Sequence, residues 1–203
     1  MKPATIALLG PAGTNSHSAF EELKRSPLAS SLNGRKIEVV FCDTITDALK
    51  EFVRGHATHA LVPIETSARG LVPETIDFLL KEKWLSYDDQ HRRMFVTQEA
   101  WIPIEHDFLV KSTDAPEEVE EIYSHPEAFK QCRNSLAKLG MKKLFPTEST
   151  AAAARFIAAQ RRESGKAAIA SPLAAKIYGL RVVQKHLEDS MDNHTRFYLL
   201  DKE

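Results

Sequence analysis

The sequence predicts an α/β fold divided into two lobes, and three observations carry that prediction. Short apolar runs alternate with helical patterns along almost the whole chain. Helix-start signals stand between successive runs, as at Asp43-Thr44, Pro73, Pro126 and Ser149-Thr150. The segment Gln98–Val110 is longer than a typical strand and holds Pro103 inside it, which marks a crossing from one lobe to the other.

Taken in order, the runs Thr5–Leu9, Ile37–Cys42, His59–Ile64, Phe95–Ile104, Glu121–Ser124, Lys142–Phe145, Lys166–Ala170 and Thr195–Leu200 read as strands. Helices are expected at Ser16–Lys24, Thr44–Arg54, Pro73–Lys81, Pro126–Leu139, Ser149–Arg162 and Pro172–Tyr178. The second is the best marked: Ile45, Ala48, Leu49 and Phe52 form one apolar stripe, and Gly55 stops it. Strand–helix–strand alternation argues for largely parallel sheets. The polar stretch Lys83–Arg93 reads as an exposed loop. With a return after Gly179, one lobe takes residues 1–100 and 186–203, the other 105–180. The cleft between two such lobes is the default ligand site.

Composition narrows the class of function. At 203 residues and 22.8 kDa the chain can bury a core without disulfide or metal. Lys and Arg number 27 against 28 Asp and Glu, so no basic surplus draws nucleic acid or an anionic membrane. No apolar run is long enough to span a bilayer, and no signal peptide is visible at the N-terminus, so a cytoplasmic location is expected. Cys42 and Cys132 form neither a disulfide framework nor a zinc pattern. No His, Cys and carboxylate cluster has metal spacing, and nothing suggests a redox cofactor.

Four constellations can carry chemistry. Gly10-Pro11-Ala12-Gly13-Thr14-Asn15-Ser16 joins the first strand to the first helix, where backbone N–H groups and small hydroxyls can cradle an anion. It lacks the Lys-Ser/Thr of a nucleotide P-loop and the third glycine of a dinucleotide fingerprint, and a capped tight turn explains it equally. Glu65-Thr66-Ser67 ends the third strand, where open α/β sheets bind ligands, or else forms a polar loop closed by Gly70. Ser124-His125-Pro126 with Gln131-Cys132 opens a long helix; a His before Pro is more often a cap than an acid or base, and Cys132 fits a small apolar role. Finally, Asn193-His194-Thr195-Arg196-Phe197 runs into the last strand. By alternation Arg196 is a buried-strand arginine, which needs either a structural or a substrate carboxylate.

In this order, and joined by Val62-Pro63-Ile64-Glu65, Ser149-Thr150-Ala151-Ala152-Ala153, Ala167-Ala168-Ile169 and Ala174–Leu180, these segments resemble the catalytic domain of prephenate dehydratase. The resemblance covers nearly the whole chain, from residue 5 to about residue 200. It implies two α/β lobes around a cleft in a periplasmic-binding-protein-like layout, type II. It also implies a cofactor-free, metal-free reaction in which prephenate loses carbon dioxide and hydroxide to give phenylpyruvate, for phenylalanine. By the same resemblance Thr195 donates to the departing hydroxyl, Arg196 binds or orients a carboxylate, and Glu65 and Ser124 complete the catalytic set. Thr14, Ser16, Thr66, Ser67, Gln131, Thr150 and Phe197 line the substrate. A homodimer is the expected assembly.

Two departures stand out. The family has Asn after the glutamate where this chain has Thr66, which replaces a long amide by one short hydroxyl. The sequence stops at Glu203, which leaves the family's small ACT regulatory domain unaccounted for and predicts no feedback by that route. Both departures suit a related group that decarboxylates prephenate without aromatising it, to dihydro-4-hydroxyphenylpyruvate for specialised metabolites such as antibiotics. The Thr195-Arg196-Phe197 run favours the dehydratase. A non-catalytic sensor of prephenate-like acids is the third possibility.

Overall fold

The computed structural model describes residues 3–25, 35–81, 94–112, 114–140, 143–161 and 165–202. The loop expected at Lys83–Arg93 lies outside the described residues. The chain divides into two compact units, one of Met1–Pro11, Asn15–Pro103 and His194–Glu203, the other of Ala12–Thr14 and Ile104–Asn193.

The first unit contains β1 (Ala4–Leu9), α1 (Asn15–Arg25), β2 (Ile37–Cys42), α2 (Ile45–Val53), β3 (His59–Thr66), the two-residue β4 (Gly70–Leu71), α3 (Pro73–Lys81), β5 (Phe95–Pro103) and β11 (His194–Asp201). Its sheet runs β2-β1-β3-β11-β5, with β4 beside β3. β1 pairs in parallel with β2 and β3, while β11 runs antiparallel to both β3 and β5. The sheets are therefore mixed rather than largely parallel. The reason is topological: β5 carries the chain out of the unit and β11 brings it back alongside, so the two run in opposite directions.

Both faces of this sheet are covered, which is why its strands are apolar at successive positions. Ile6, Leu8, Leu61, Phe197 and Leu199 pack with Ala19, Phe20 and Leu23 of α1. Ala60, Val62, Ile64 and Leu200 pack with Ile45, Leu49 and Phe52 of α2 and Leu79 of α3. The start of α2 is fixed by Thr44, whose hydroxyl accepts the Asp47 N–H at 3.0 Å.

The second unit contains β6 (Asp107–Val110), β7 (Glu121–Ser124), α4 (Pro126–Gln131), α5 (Arg133–Lys138), β8 (Lys143–Pro146), α6 (Thr150–Ala158), β9 (Lys166–Ala170), α7 (Pro172–Tyr178) and β10 (Arg181–Gln184). Its sheet order is β10-β6-β9-β7-β8, parallel where β7 meets β8 and β9, and antiparallel at β6 and β10. One face packs Phe108, Ile122 and Ile169 on Ala128, Cys132 and Leu136 of the α4–α5 region. The other packs Leu109, Ala168 and Ala170 on Ala153, Ala154, Ile157, Ala174 and Ala175, whose small side chains bring α6 and α7 close to the sheet. Ser149 and Ser171 cap α6 and α7 through Ala152 N–H (3.0 Å) and Ala174 N–H (3.1 Å), and Gly179 ends α7 in the left-handed region.

Here the sequence expectations need three corrections. Strands β4, β6 and β10 were unexpected: β6 lies at the far end of the long segment Gln98–Val110, and β4 and β10 are short strands paired on one side only, β10 with Arg181 and Gln184 exposed. The single helix expected over Pro126–Leu139 is two, broken at Cys132. Asp189 causes the break: its N–H donates to the Gln131 carbonyl at 2.7 Å, and its carboxylate accepts from Asn134 N–H at 3.0 Å, an anion against the start of α5. For the same reason residues 186–193 belong to the second unit, not the first, with Leu187 buried in its core. Residues 12–14 belong there too: Gly13, at φ +91°, lies where a Cβ would come within 3.0 Å of Ala174, and its carbonyl accepts from the Ser171 hydroxyl at 2.8 Å.

Asp107 is a buried carboxylate of this unit that is only half-paired. Its Oδ1 accepts from His186 N–H at 3.2 Å, but its buried Oδ2 has no hydrogen-bond partner, and burial raises the carboxyl group above its ordinary pKa. Below the ordinary carboxylate range the group is protonated folded or unfolded and costs nothing; above its raised pKa the ionised form destabilises the fold. Asp107→Asn is expected to stabilise the chain by about 1 kcal/mol at neutral pH. Thermal unfolding across a pH series should show that gain vanish below about pH 4.

Candidate functional site

Strand direction places the candidate residues. In the first unit β1, β2 and β3 all end at one sheet edge, and β11, running the other way, begins there. The loop after β1, the Glu65-Thr66-Ser67 corner after β3 and the Thr195-Arg196 start of β11 therefore share the carboxyl edge, where open α/β sheets take ligands.

Thr195 lies opposite Thr66 on β3 and Ile102 on β5 and is 7% exposed. Beyond this pair Ser67 and His194 clamp the strands together. The Ser67 N–H donates to the His194 carbonyl and the His194 N–H donates to the Ser67 hydroxyl, each at 2.9 Å. The Thr66 hydroxyl accepts the Arg69 N–H at 3.1 Å and so closes the turn into β4. Ser16, in the first turn of α1, is buried.

Arg196 faces the other way. Its Nε and Nη2 both reach Glu99 Oε2, at 3.1 and 2.5 Å, and its Nη1 lies 4.0 Å from Glu65 Oε2. Its guanidinium also stacks between the rings of Trp101 and Tyr198, at 5.4 and 5.0 Å. The expectation of a buried-strand arginine is corrected to a half-buried one, because the side chains beside it on that face, Glu99 and Trp101, are themselves exposed. Of the two carboxylate sources left open by the sequence, the structure supplies the protein's own, Glu99 with Glu65 behind it. Phe197 is corrected as well. At 1% exposure it sits inside the α1-facing core with Leu199, Ala100 and Ile102, and offers no surface to a substrate.

The second unit gathers its candidates at the carboxyl ends of β7, β8 and β9. Ser124, the last residue of β7, is fully buried and donates its hydroxyl to the Ile169 carbonyl at 2.7 Å, which ties β7 to β9. That bond makes Ser124 a brace rather than an exposed catalytic hydroxyl. His125 caps α4, its Nδ1 accepting the Glu127 N–H at 3.2 Å, as its place before Pro126 suggests. Gln131 ends α4 with its Oε1 at 3.0 Å from Asn193 Nδ2 and 2.7 Å from His106 Nε2. Thr150 opens α6 half-buried, and Thr14 is buried. Cys132 is sealed in the core, and burial pushes its thiol well above the ordinary range.

The structure thus brings Glu65, Thr66, Ser67, Thr195 and Arg196 to one corner of the first unit. Thr14, Ser124, Gln131 and Thr150 belong to the second. His106, Glu99, Trp101 and Tyr198 were missed. Glu99 and Trp101 could have been found from strand pairing, since they alternate on the segment that must lie beside β11, but His106 carries no local signal. Among the described residues no group of three or more His, Cys, Asp or Glu is placed to hold a metal ion, and no helix is long and apolar enough to cross a membrane.

Two mixed sheets, each with helices on both faces and small polar side chains at its carboxyl edge, define a two-unit α/β protein of the class that takes ligands at such edges. The chain belongs to the prephenate dehydratase family, whose model matches residues 6–203. It is 36% identical over 167 residues to a prephenate dehydratase of Lactococcus lactis subsp. lactis, across 82% of this chain and 56% of that protein. It is 31% identical over 197 residues to a bifunctional chorismate mutase/prephenate dehydratase of Enterobacter agglomerans, across 97% of this chain and 46% of the relative. The crystal structure of prephenate dehydratase from Arthrobacter aurescens in complex with L-Phe superposes with a TM-score of 0.78 at 28% identity, covering 98% of this chain and 60% of that one. The chain spans about half the length of the curated relatives it matches.

The core position of Phe197 has a direct consequence. Phe197→Ala is expected to cost about 3–5 kcal/mol by urea unfolding, whereas Phe197→Leu should cost less than about 2 kcal/mol. Ligand affinity of the folded Leu variant should stay within about twofold of wild type, since less than 0.5 kcal/mol separates them at that ratio.

Proposed function

We propose that the chain is a prephenate dehydratase acting without cofactor: the ring carboxylate leaves prephenate as carbon dioxide, the bonding pair enters the ring, and the C4 hydroxyl departs with a proton as water. Phenylpyruvate, a precursor of phenylalanine, is the product. Family membership supports this reading, and one observation in the structure carries it: the register that sets Thr195 opposite Thr66 at the carboxyl edge. There the Thr195 hydroxyl stands on a rigid strand, pinned on its amino side by the Ser67–His194 pair.

A threonine hydroxyl is a weak acid, so its contribution is a hydrogen bond that strengthens as the leaving oxygen gains charge. That role needs fixed geometry more than a shifted pKa. Gln131, with its side-chain oxygen already engaged, offers its amino group to a substrate oxygen. Arg196 serves from the opposite face of β11 as an ion-pair brace with Glu99, not as a direct carboxylate ligand. Thr195→Ala is expected to lower kcat by about 10²–10³ while prephenate binding survives, the loss typical of one transition-state donor. Steady-state kinetics with prephenate check this, and unchanged kcat would remove Thr195 from the mechanism.

A second reading, the non-aromatising decarboxylase, is favoured by Thr66. Where the family has an amide, this chain has a hydroxyl that is used to cap the Arg69 turn. Without that amide, assistance to hydroxyl departure is weaker, and protonation of a ring carbon competes. Product analysis by ultraviolet absorbance and proton NMR separates the two: aromatic ring signals mark the dehydratase, and retained ring CH–OH signals mark the decarboxylase. Thr66→Asn is expected to raise the aromatic fraction of product if the second reading holds, and to leave it unchanged if dehydration is already complete.

A further inference from the structure

Gln131 ends α4 with both acceptor sites of its side-chain oxygen facing neighbours: Asn193 Nδ2 at 3.0 Å and His106 Nε2 at 2.7 Å. Among the described residues its Nε2 amino group meets no protein acceptor. We infer that His106 is a positioning residue: its ring N–H, together with the Asn193 amide, fixes the roll of the Gln131 amide and leaves the Gln131 amino group as a directed donor to an oxygen of the bound acid. This inference rests on the proposal that Gln131 binds substrate.

The protonation state follows from surroundings. His106 is 3% exposed, and its Nδ1 has no hydrogen-bond partner. A doubly protonated ring would leave an N–H unpaired in the interior, and burial holds the imidazole below its ordinary pKa despite Gln131, Glu188 and Asp107 nearby. A neutral ring carries one proton. On Nε2 it faces the Gln131 oxygen as a donor; on Nδ1 it would leave two lone pairs opposed at 2.7 Å and an orphaned N–H besides.

The ring is itself held from behind. The His106 N–H donates to Glu188 Oε2 at 2.8 Å, its carbonyl accepts the Leu187 N–H at 2.7 Å, and Glu188 Oε1 lies 2.9 Å from His186 Nδ1. A flip of the Gln131 amide would set its NH2 against two donors, so the amino group has one direction available. A ligand oxygen gains a donor already aimed, and the entropy of orienting it is spent on folding.

Long-range proton–nitrogen correlation NMR on the whole labelled chain reads the tautomer directly, without substrate. The expected result is His106 protonated at Nε2 with a bare Nδ1; a proton on Nδ1 overturns the inference. Kinetics with prephenate supply the second readout. His106→Leu is expected to raise KM about tenfold while kcat stays within about threefold, the size expected when one neutral donor is lost. His106→Gln, which keeps an N–H donor near the Nε2 position, should bring KM back to within about threefold of wild type. An unchanged KM in folded His106→Leu, or no rescue by His106→Gln, also overturns it. If His106→Leu fails to fold, the tautomer and the His106→Gln comparison decide. If wild type neither binds nor turns over prephenate, the functional proposal fails, while the ring tautomer still tells whether His106 holds Gln131.

Discussion

β11 runs against β3 and β5, and almost every placement in the first unit follows from that direction. Had the returning chain entered in parallel, Thr195 would sit at the opposite end of the sheet from the loop after β1 and from Glu65-Thr66-Ser67. Antiparallel entry brings its first residues to the edge where β1 and β3 finish. It also makes the strand a central one, hydrogen-bonded on both sides, so its amino end is held as firmly as its middle. The mutual Ser67–His194 bonds extend that pairing just past the last regular ladder residues. A hydroxyl placed there inherits the stiffness of the sheet rather than the mobility of a loop.

The second unit obtains precision by a different route. Its strands are short and α6 and α7 rest largely on alanines, so on that face side-chain interdigitation contributes less than backbone closeness and polar ties. Asp189 ends one helix and starts another, Ser124 ties β7 to β9, and Glu188 braces the residue that faces Gln131. Among the described residues of this unit the buried polar side chains are largely paired, as burial requires, and His106 Nδ1 and Asp107 Oδ2 are the exceptions that the fold tolerates.

Much of the fold was legible because periodicity and punctuation agreed. Glu121–Ser124, Lys166–Ala170, Pro73–Lys81 and Pro172–Tyr178 come out with the boundaries their prolines, serines and apolar runs suggest. The site residues were legible as motifs but not as faces. A bulge in β3 explains one failure. The register passes from Arg196 opposite Glu65 to Phe197 opposite Pro63, so Ile64 is an extra residue. Simple alternation along Val62–Thr66 would put Glu65 on the α1 side; the bulge turns it to join Arg196 and gives Thr66 to Thr195. Nothing local in Pro63-Ile64-Glu65 announces this. The break at Cys132 was invisible for a related reason: its cause, Asp189, lies more than fifty residues away in the chain.

Each unit also holds one buried thiol, Cys42 in the first and Cys132 in the second. Burial raises both above the ordinary thiol pKa, so neither offers thiolate or access to an alkylating reagent while its surroundings stay closed. The chain thus carries a built-in pair of clocks. The rate at which each cysteine is modified under native conditions measures how often its own unit opens, and two different rates would show that the halves breathe independently.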